Sequence, residues 1–212
     1  MDVTRKDTAE QHNLPVHYEV LQGLGNCYSC VGDSTQAQRC YEKAASLGPD
    51  EPEPYIGLGT VALQEGRLDD AEIAFRVACR LDGNCAKGYA GRAMALQQKG
   101  DYKQAFEMYL KCLELDTDNL TALLGLFRTS CCMNSFAKVI YYLEVYLDMH
   151  PGDGSVMLSL AALYMKEGEF ERAREILLGI LALDSVNKDA ADLLEEVEHN
   201  LARMRLAEVG IK

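Results

Sequence analysis

The sequence predicts an all-α chain built from tandem helical hairpins. Chemically similar residues recur every 34 positions with no insertion or deletion. Between those positions apolar side chains fall three and four apart, the period of a helix rather than a strand. Composition agrees with a folded chain: 212 residues are 48% hydrophobic and 25% charged, ordinary globular usage.

The period is visible in four series. Small residues stand at Gly25, Gly59, Ala93 and Ala161, with Phe127 the exception at the same place. Punctuation follows at Gly32, Gly66, Gly100, Asn134 and Gly168, then Ala37, Ala71, Ala105, Val139 and Ala173, and finally Tyr41, Phe75, Tyr109, Leu143 and Leu177. Each unit reads as helix, tight turn, helix. Glycine supplies the left-handed backbone that ends a helix, and asparagine is the next choice at Asn134. Turn sequences such as Leu47-Gly48-Pro49-Asp50 and Met149-His150-Pro151-Gly152 separate the units.

Taken in order, residues 1–17 form a polar leader. Pro15 lies 34 before Pro49, so the leader reads as a possible degenerate repeat tail, although Asp7 and Glu10 do not suit a packed helix. Five units follow at 18–51, 52–85, 86–119, 120–153 and 154–187. Residues 188–212 begin as another first helix but carry Glu195 and Glu198 at packing places. Leu194, Val197, Leu201 and Met204 leave one apolar stripe, so this segment is expected to be a capping helix.

On this 34-residue helix–turn–helix unit the chain resembles the tetratricopeptide repeat family over residues 18–187. The family's frequent first-helix tryptophan is replaced by Leu21, Tyr55, Tyr89, Leu123 and Met157. The resemblance implies a right-handed superhelix that presents first helices on a concave groove. It also implies which residues face that groove: Asn26, Ile56, Thr60, Leu63, Lys87, Met94, Leu124, Arg128, Leu158, Met165 and Lys166 among them. Six of these, Ile56, Leu63, Met94, Leu124, Leu158 and Met165, would form an exposed apolar line suited to a partner; ordinary packing between repeats is the competing reading. Relatives that grip C-terminal carboxylates use groove Lys, Asn and Arg. Here Gln22, Gly57 and Gly91 stand at those places beside Asn26, so that role is not carried over.

Other chemistries find little footing. Net charge is −12, which disfavours binding to a phosphate backbone. No apolar run is long enough to span a membrane, and the first residues lack a signal peptide's apolar core, so the expectation is a cytoplasmic protein with no membrane insertion. Eight cysteines give one Cys-x-x-Cys (Cys27, Cys30) and one adjacent pair (Cys131, Cys132), too far apart for a two-pair zinc site. Cys27, Cys79 and Cys112 are expected as buried packing residues; Cys30, Cys131 and Cys132 as solvent-reachable. Gly57-Leu-Gly59 lies inside a helix rather than a strand-to-helix turn, so it is no dinucleotide motif. Asp116 to Asn119 lacks a calcium loop's glycine and glutamate. No Ser-His-Asp or Cys-His set is spaced for catalysis, and no cofactor or metal is expected.

The fourth unit departs from the pattern. Its second helix is apolar nearly all round, and Tyr141 and Tyr142 interrupt the polar stripe that Lys138, Glu144 and Asp148 begin. Either neighbouring helices wrap it or another chain covers it, which makes Tyr141 and Tyr142 candidates for a homo-oligomer contact. The functional expectation is a non-catalytic adaptor that binds a segment of another protein in its groove. The alternatives are a self-assembling scaffold, similar to magnetosome-type repeat proteins, and a secretion-chaperone-like adaptor.

Overall fold

The computed structural model describes the backbone of residues 4–133 and 135–209 and the side chains of residues 17–133 and 135–207. Its helices are α1 (Thr4–Cys30), α2 (Ser34–Leu47), α3 (Pro52–Gln64), α4 (Leu68–Leu81), α5 (Ala86–Gln98) and α6 (Tyr102–Leu115). They continue with α7 (Leu120–Met133), α8 (Ala137–Met149), α9 (Gly154–Glu167), α10 (Phe170–Leu183) and α11 (Lys188–Val209). No strand occurs among the described residues, so the architecture is an all-α repeat. α1 begins at Thr4, which places the expected boundary at residue 17 inside a helix. No described helix is long and apolar enough to cross a membrane.

Four hairpin turns are closed in the same way. Gly32, Gly66, Gly100 and Gly168 hold φ between 74° and 83°, the left-handed region that suits glycine. The residue after each glycine then reaches back to the preceding helix: Asp33 N–H donates to Tyr28 O at 2.9 Å, Arg67 to Ala62 at 2.8 Å, Asp101 to Leu96 at 3.0 Å and Glu169 to Tyr164 at 2.8 Å. These bonds satisfy carbonyls that a helix end otherwise leaves open. Asp33 and Asp101 go on to cap the second helix, accepting from Gln36 N–H and Gln104 N–H at 3.1 Å.

The chain divides into two compact units, Met1–Gly125 and Leu126–Lys212, with the division inside α7. In the first unit a ring from every second helix is wedged between first helices. A Cβ on Gly25 or on Gly57 would stand 2.5 Å from the Tyr41 ring, and one on Gly59 would stand 2.9 Å from Phe75. Gly91 approaches Phe75, and Gly125 approaches Tyr109, more closely still. Carbon contacts are comfortable only near 3.5–4.0 Å, so these first helices need glycine in order to seat the rings. Tyr41, Phe75 and Tyr109 are each 1–3% exposed, and full burial of a large apolar side chain stabilises by about 1.5–3 kcal/mol.

In the second unit aliphatic residues replace the rings. Leu143, Leu163 and Leu177 are fully buried, with Ala161 and Ala173 beside them in the sequence pattern. Glu144 accepts a hydrogen bond from Tyr164 Oη, and the Arg172 guanidinium lies 5.5 Å over the Tyr164 ring. α11 packs on α10. It buries Ala190, Val197 and Leu201, but Leu194 is only half-buried and Met204 is exposed. Glu195 and Glu198 face solvent, and Glu198 pairs with Arg174.

Candidate functional site

α1, α3 and the start of α5 enclose a cleft of about 410 Å³ within the first unit. Its walls include Gln22, Asn26, Ile56, Thr60 and Lys87, and its floor is Tyr41 reached across Gly57. The floor exists because the second-helix ring enters between two glycines. Tyr41 Oη donates to Asn26 Oδ1 at 2.9 Å, which fixes the amide with its NH2 side free to donate. Burial, reinforced by Cys30, raises the Tyr41 pKa, so the phenol remains a donor near neutrality.

Gln22 supplies the complementary function. Its Nε2 donates to the Glu53 backbone oxygen at 3.5 Å, while its Oε1 is buried with no hydrogen-bond partner among the described residues. Such an oxygen costs free energy until a donor reaches it. Thr60 Oγ1 is already used, donating to Ile56 O at 2.8 Å, so Thr60 and Ile56 present mainly apolar surface. Lys87 and Glu53 are exposed at the edge, and Lys87 has no ion pair among the described residues. The cleft therefore offers one amide donor, one buried acceptor, an apolar wall, a cation and a carboxylate. That set suits the main chain and one side chain of a peptide.

Four residues expected at a groove, Asn26, Ile56, Thr60 and Lys87, come together here. Others do not. Leu63 packs with Ile56 against Ala62, Ala71, Phe75 and Ala95. Met94 and Leu124 are half-buried on α5 and α7. In the second unit Arg128 and Lys166 are exposed, with the Lys166 ammonium 5.9 Å above the Phe136 ring, and Leu158 and Met165 are half-buried. All six of the apolar residues expected at the groove are half-buried, and Ile56 and Leu63 also pack against the repeat core. Tyr41 was legible only as a packing residue, and its role as the cleft floor follows from its bond to Asn26.

Two further expectations can be placed. Tyr141 is 59% exposed and stands edge-on to half-buried Tyr142, with ring centroids 5.2 Å apart. Cys30, Cys131 and Cys132 are exposed, Cys112 is buried and Cys79 is half-buried. Cys27, expected in the core, is exposed. Its counterparts Val61 and Ala95 are fully buried, packed with residues of the preceding second helix, and among the described residues no helix precedes α1.

Three family models described as tetratricopeptide repeat match the chain, at residues 31–86, 86–119 and 133–197. Among curated proteins the chain is 24% identical over 196 residues to the CTR9 homolog of Arabidopsis thaliana, covering 85% of this chain but 15% of that one. Among solved structures it is similar to PilF of Pseudomonas aeruginosa, with TM-score 0.68, 22% identity, and 91% and 93% of the two chains covered. It is also similar to the first repeat domain of Spaghetti (RPAP3), solved bound to the HSP90 peptide SRMEEVD. There the TM-score is 0.54 and the identity 25%, over 56% of this chain and 94% of that one.

Proposed function

The chain belongs to the tetratricopeptide repeat family, and from that premise we propose that it is a protein-interaction scaffold whose first-unit cleft holds an extended segment of another protein. The observation that carries this reading is the pairing of Asn26 and Gln22 on one wall. Asn26 turns a donor into the cleft, and Gln22 keeps there a buried acceptor that has no partner among the described residues. A peptide backbone offers the matching carbonyl and N–H. Ile56 and Thr60 then seat an apolar side chain, and Lys87, which has no ion pair among the described residues, favours an acidic residue beside it. The solved relative with a bound peptide supports peptide capture as a use of this fold. Gln22 and Gly57 stand where carboxylate-gripping relatives place basic or amide groups, so an internal segment fits better than a chain terminus.

Selection of peptides from a displayed random library on the full chain tests this. Binders should share an apolar residue next to an acid, and Asn26→Ala and Thr60→Arg should each remove them. Truncating a central contact commonly costs about 2 kcal/mol, or roughly thirtyfold in affinity. Binders that ignore both substitutions place the site elsewhere.

A second reading rests on α8, where Tyr141 and Met149 are 59% and 47% exposed. Tyrosine carries large contact area with little rotamer freedom to lose, which suits contact between two copies. Sedimentation of wild type and Tyr141→Lys separates the readings, since only a dimer dispersed by the substitution supports this one.

A further inference from the structure

α1 carries the face that α3 and α5 use to receive the second helix before them, and on α1 it is open. On α3 this face is Pro54, Gly57, Leu58 and Val61; on α5 it is Gly88, Gly91, Arg92 and Ala95, each 34 residues further on. Gly57 takes the Tyr41 ring of α2, and Gly91 takes the Phe75 ring of α4. Val61 shares a core with Ala37 and Tyr41, and Ala95 with Ala71 and Phe75. The same places on α1 are Val20, Gly23, Leu24 and Cys27. Val20 is 54% exposed and Leu24 44%; Cys27 is exposed, and nothing lies within 4 Å of where a Cβ on Gly23 would stand.

We propose that this face of α1 binds an amphipathic helix of another protein, one that carries Tyr or Phe with alanine four places before it and three places after. That is the arrangement of Ala37, Tyr41 and Ala44 in α2 and of Ala71, Phe75 and Ala78 in α4, the two helices that fill the equivalent faces. Residues 1–17 do not supply it. Val3, Asp7 and Glu10 stand at the three places by the 34-residue step, and a carboxylate in a ring slot would be desolvated without compensation. Asp7 and Glu10 moreover belong to α1 itself. A second copy does not supply it either, because the rings of α2, α4 and α6 are already buried. The exposed Tyr141 of α8 has Glu144, not alanine, three places on.

Charge narrows the partner further. On α5, Lys99 binds Asp69 and Glu72 of α4 at 2.9 and 2.8 Å, and Arg92 approaches Glu72 at 4.0 Å. α1 has Leu24 at the place of Arg92, and Val31 just beyond its end stands at that of Lys99 minus two repeats. The partner helix therefore carries neutral residues where α4 carries Asp69 and Glu72, as α2 does with Thr35 and Gln38.

The probe is the peptide Ser34–Leu47 with Cys40→Ala, held helical by a bridge between positions 39 and 43, both exposed in α2. It is titrated against the full chain while alkylation of Cys27 and Cys30 is followed separately. Saturable binding is expected, with Cys27 labelling slowed about tenfold at saturation and Cys30, which lines the cleft, unchanged. Gly23→Leu has open space for its side chain, so its helix content and melting should match or exceed wild type while affinity falls about tenfold or more. Tyr41→Ala in the peptide should do the same. Absence of saturable binding, equal binding by Gly23→Leu, or protection of Cys30 in place of Cys27 overturns the proposal. So does a wild-type dimer in sedimentation that Gly23→Leu disperses, since the occupant would then be a second copy.

Discussion

Replacing Gly57 by alanine sets a methyl carbon 2.5 Å from the Tyr41 ring, about 1 Å inside comfortable contact. The ring cannot retreat, because Gly25 on its other side is equally close. Overpacking of this kind costs about 1–3 kcal/mol, and the confinement on both sides places it at the upper end. Displacing the ring also breaks the bond from Tyr41 Oη to Asn26, about 1 kcal/mol more. Against this stands the helix preference of alanine over glycine, about 1 kcal/mol. The expected net loss is about 3 kcal/mol. Gly23→Ala is the matched control: it occupies the same repeat place with nothing within 4 Å and should gain up to about 1 kcal/mol. In urea, with a slope of about 2 kcal/mol/M, the two midpoints should differ by about 2 M. Circular dichroism through the transition measures this. If both variants shift in the same direction, or Gly57→Ala matches wild type, the wedged-ring account is refuted.

Three other outcomes follow from the same structure. Burial pushes the Cys79 thiol up to about 11 and Cys112 up to about 12, whereas an unfolded thiol ionises near about 8.5. Above that value the unfolded chain loses protons first, so stability present below about pH 8.5 should decline as pH rises toward about 12. Urea midpoints measured from about pH 7 to 11 should show this fall, and Cys112→Ala should flatten part of it. Alkylation of the native chain at about pH 8, resolved by peptide mass, should modify Cys27, Cys30, Cys131 and Cys132 quickly and Cys112 only on unfolding. Gly168→Ala forces a side chain onto φ 79° and should cost about 1–2 kcal/mol, read as a lowered melting temperature.

The repeat was legible because its period imposes the same packing at each step. Gly32, Gly66, Gly100 and Gly168 could be assigned to left-handed turns from spacing alone, and all four adopt them. A second glycine series, Gly23, Gly57, Gly91 and Gly125, keeps the same 34-residue step. Its step marks it as a packing series, but spacing does not say that a ring from the preceding unit enters at Gly57, Gly91 and Gly125. Cys27 shows the limit of reading by equivalence. Its place is apolar and buried in later units because a helix precedes them, and equivalence in sequence does not supply that helix. The cleft was half legible. Asn26, Ile56, Thr60 and Lys87 could be named from the resemblance, but the Tyr41–Asn26 bond and the unpartnered Gln22 oxygen depend on side-chain orientation. Spacing also did not show that Ile56 and Leu63 serve the core as well as the surface.

The central claim, that a peptide lies along the first-unit cleft, is tested most directly by the paired thiols at the end of α1. Cys30 lines the cleft and Cys27 does not, although both are exposed. Alkylation rates of the two should be compared with and without a saturating peptide selected on the full chain. The account predicts that Cys30 slows about tenfold or more while Cys27 keeps its free rate, and that Asn26→Ala abolishes the difference. Unchanged Cys30 reactivity under saturation would contradict it.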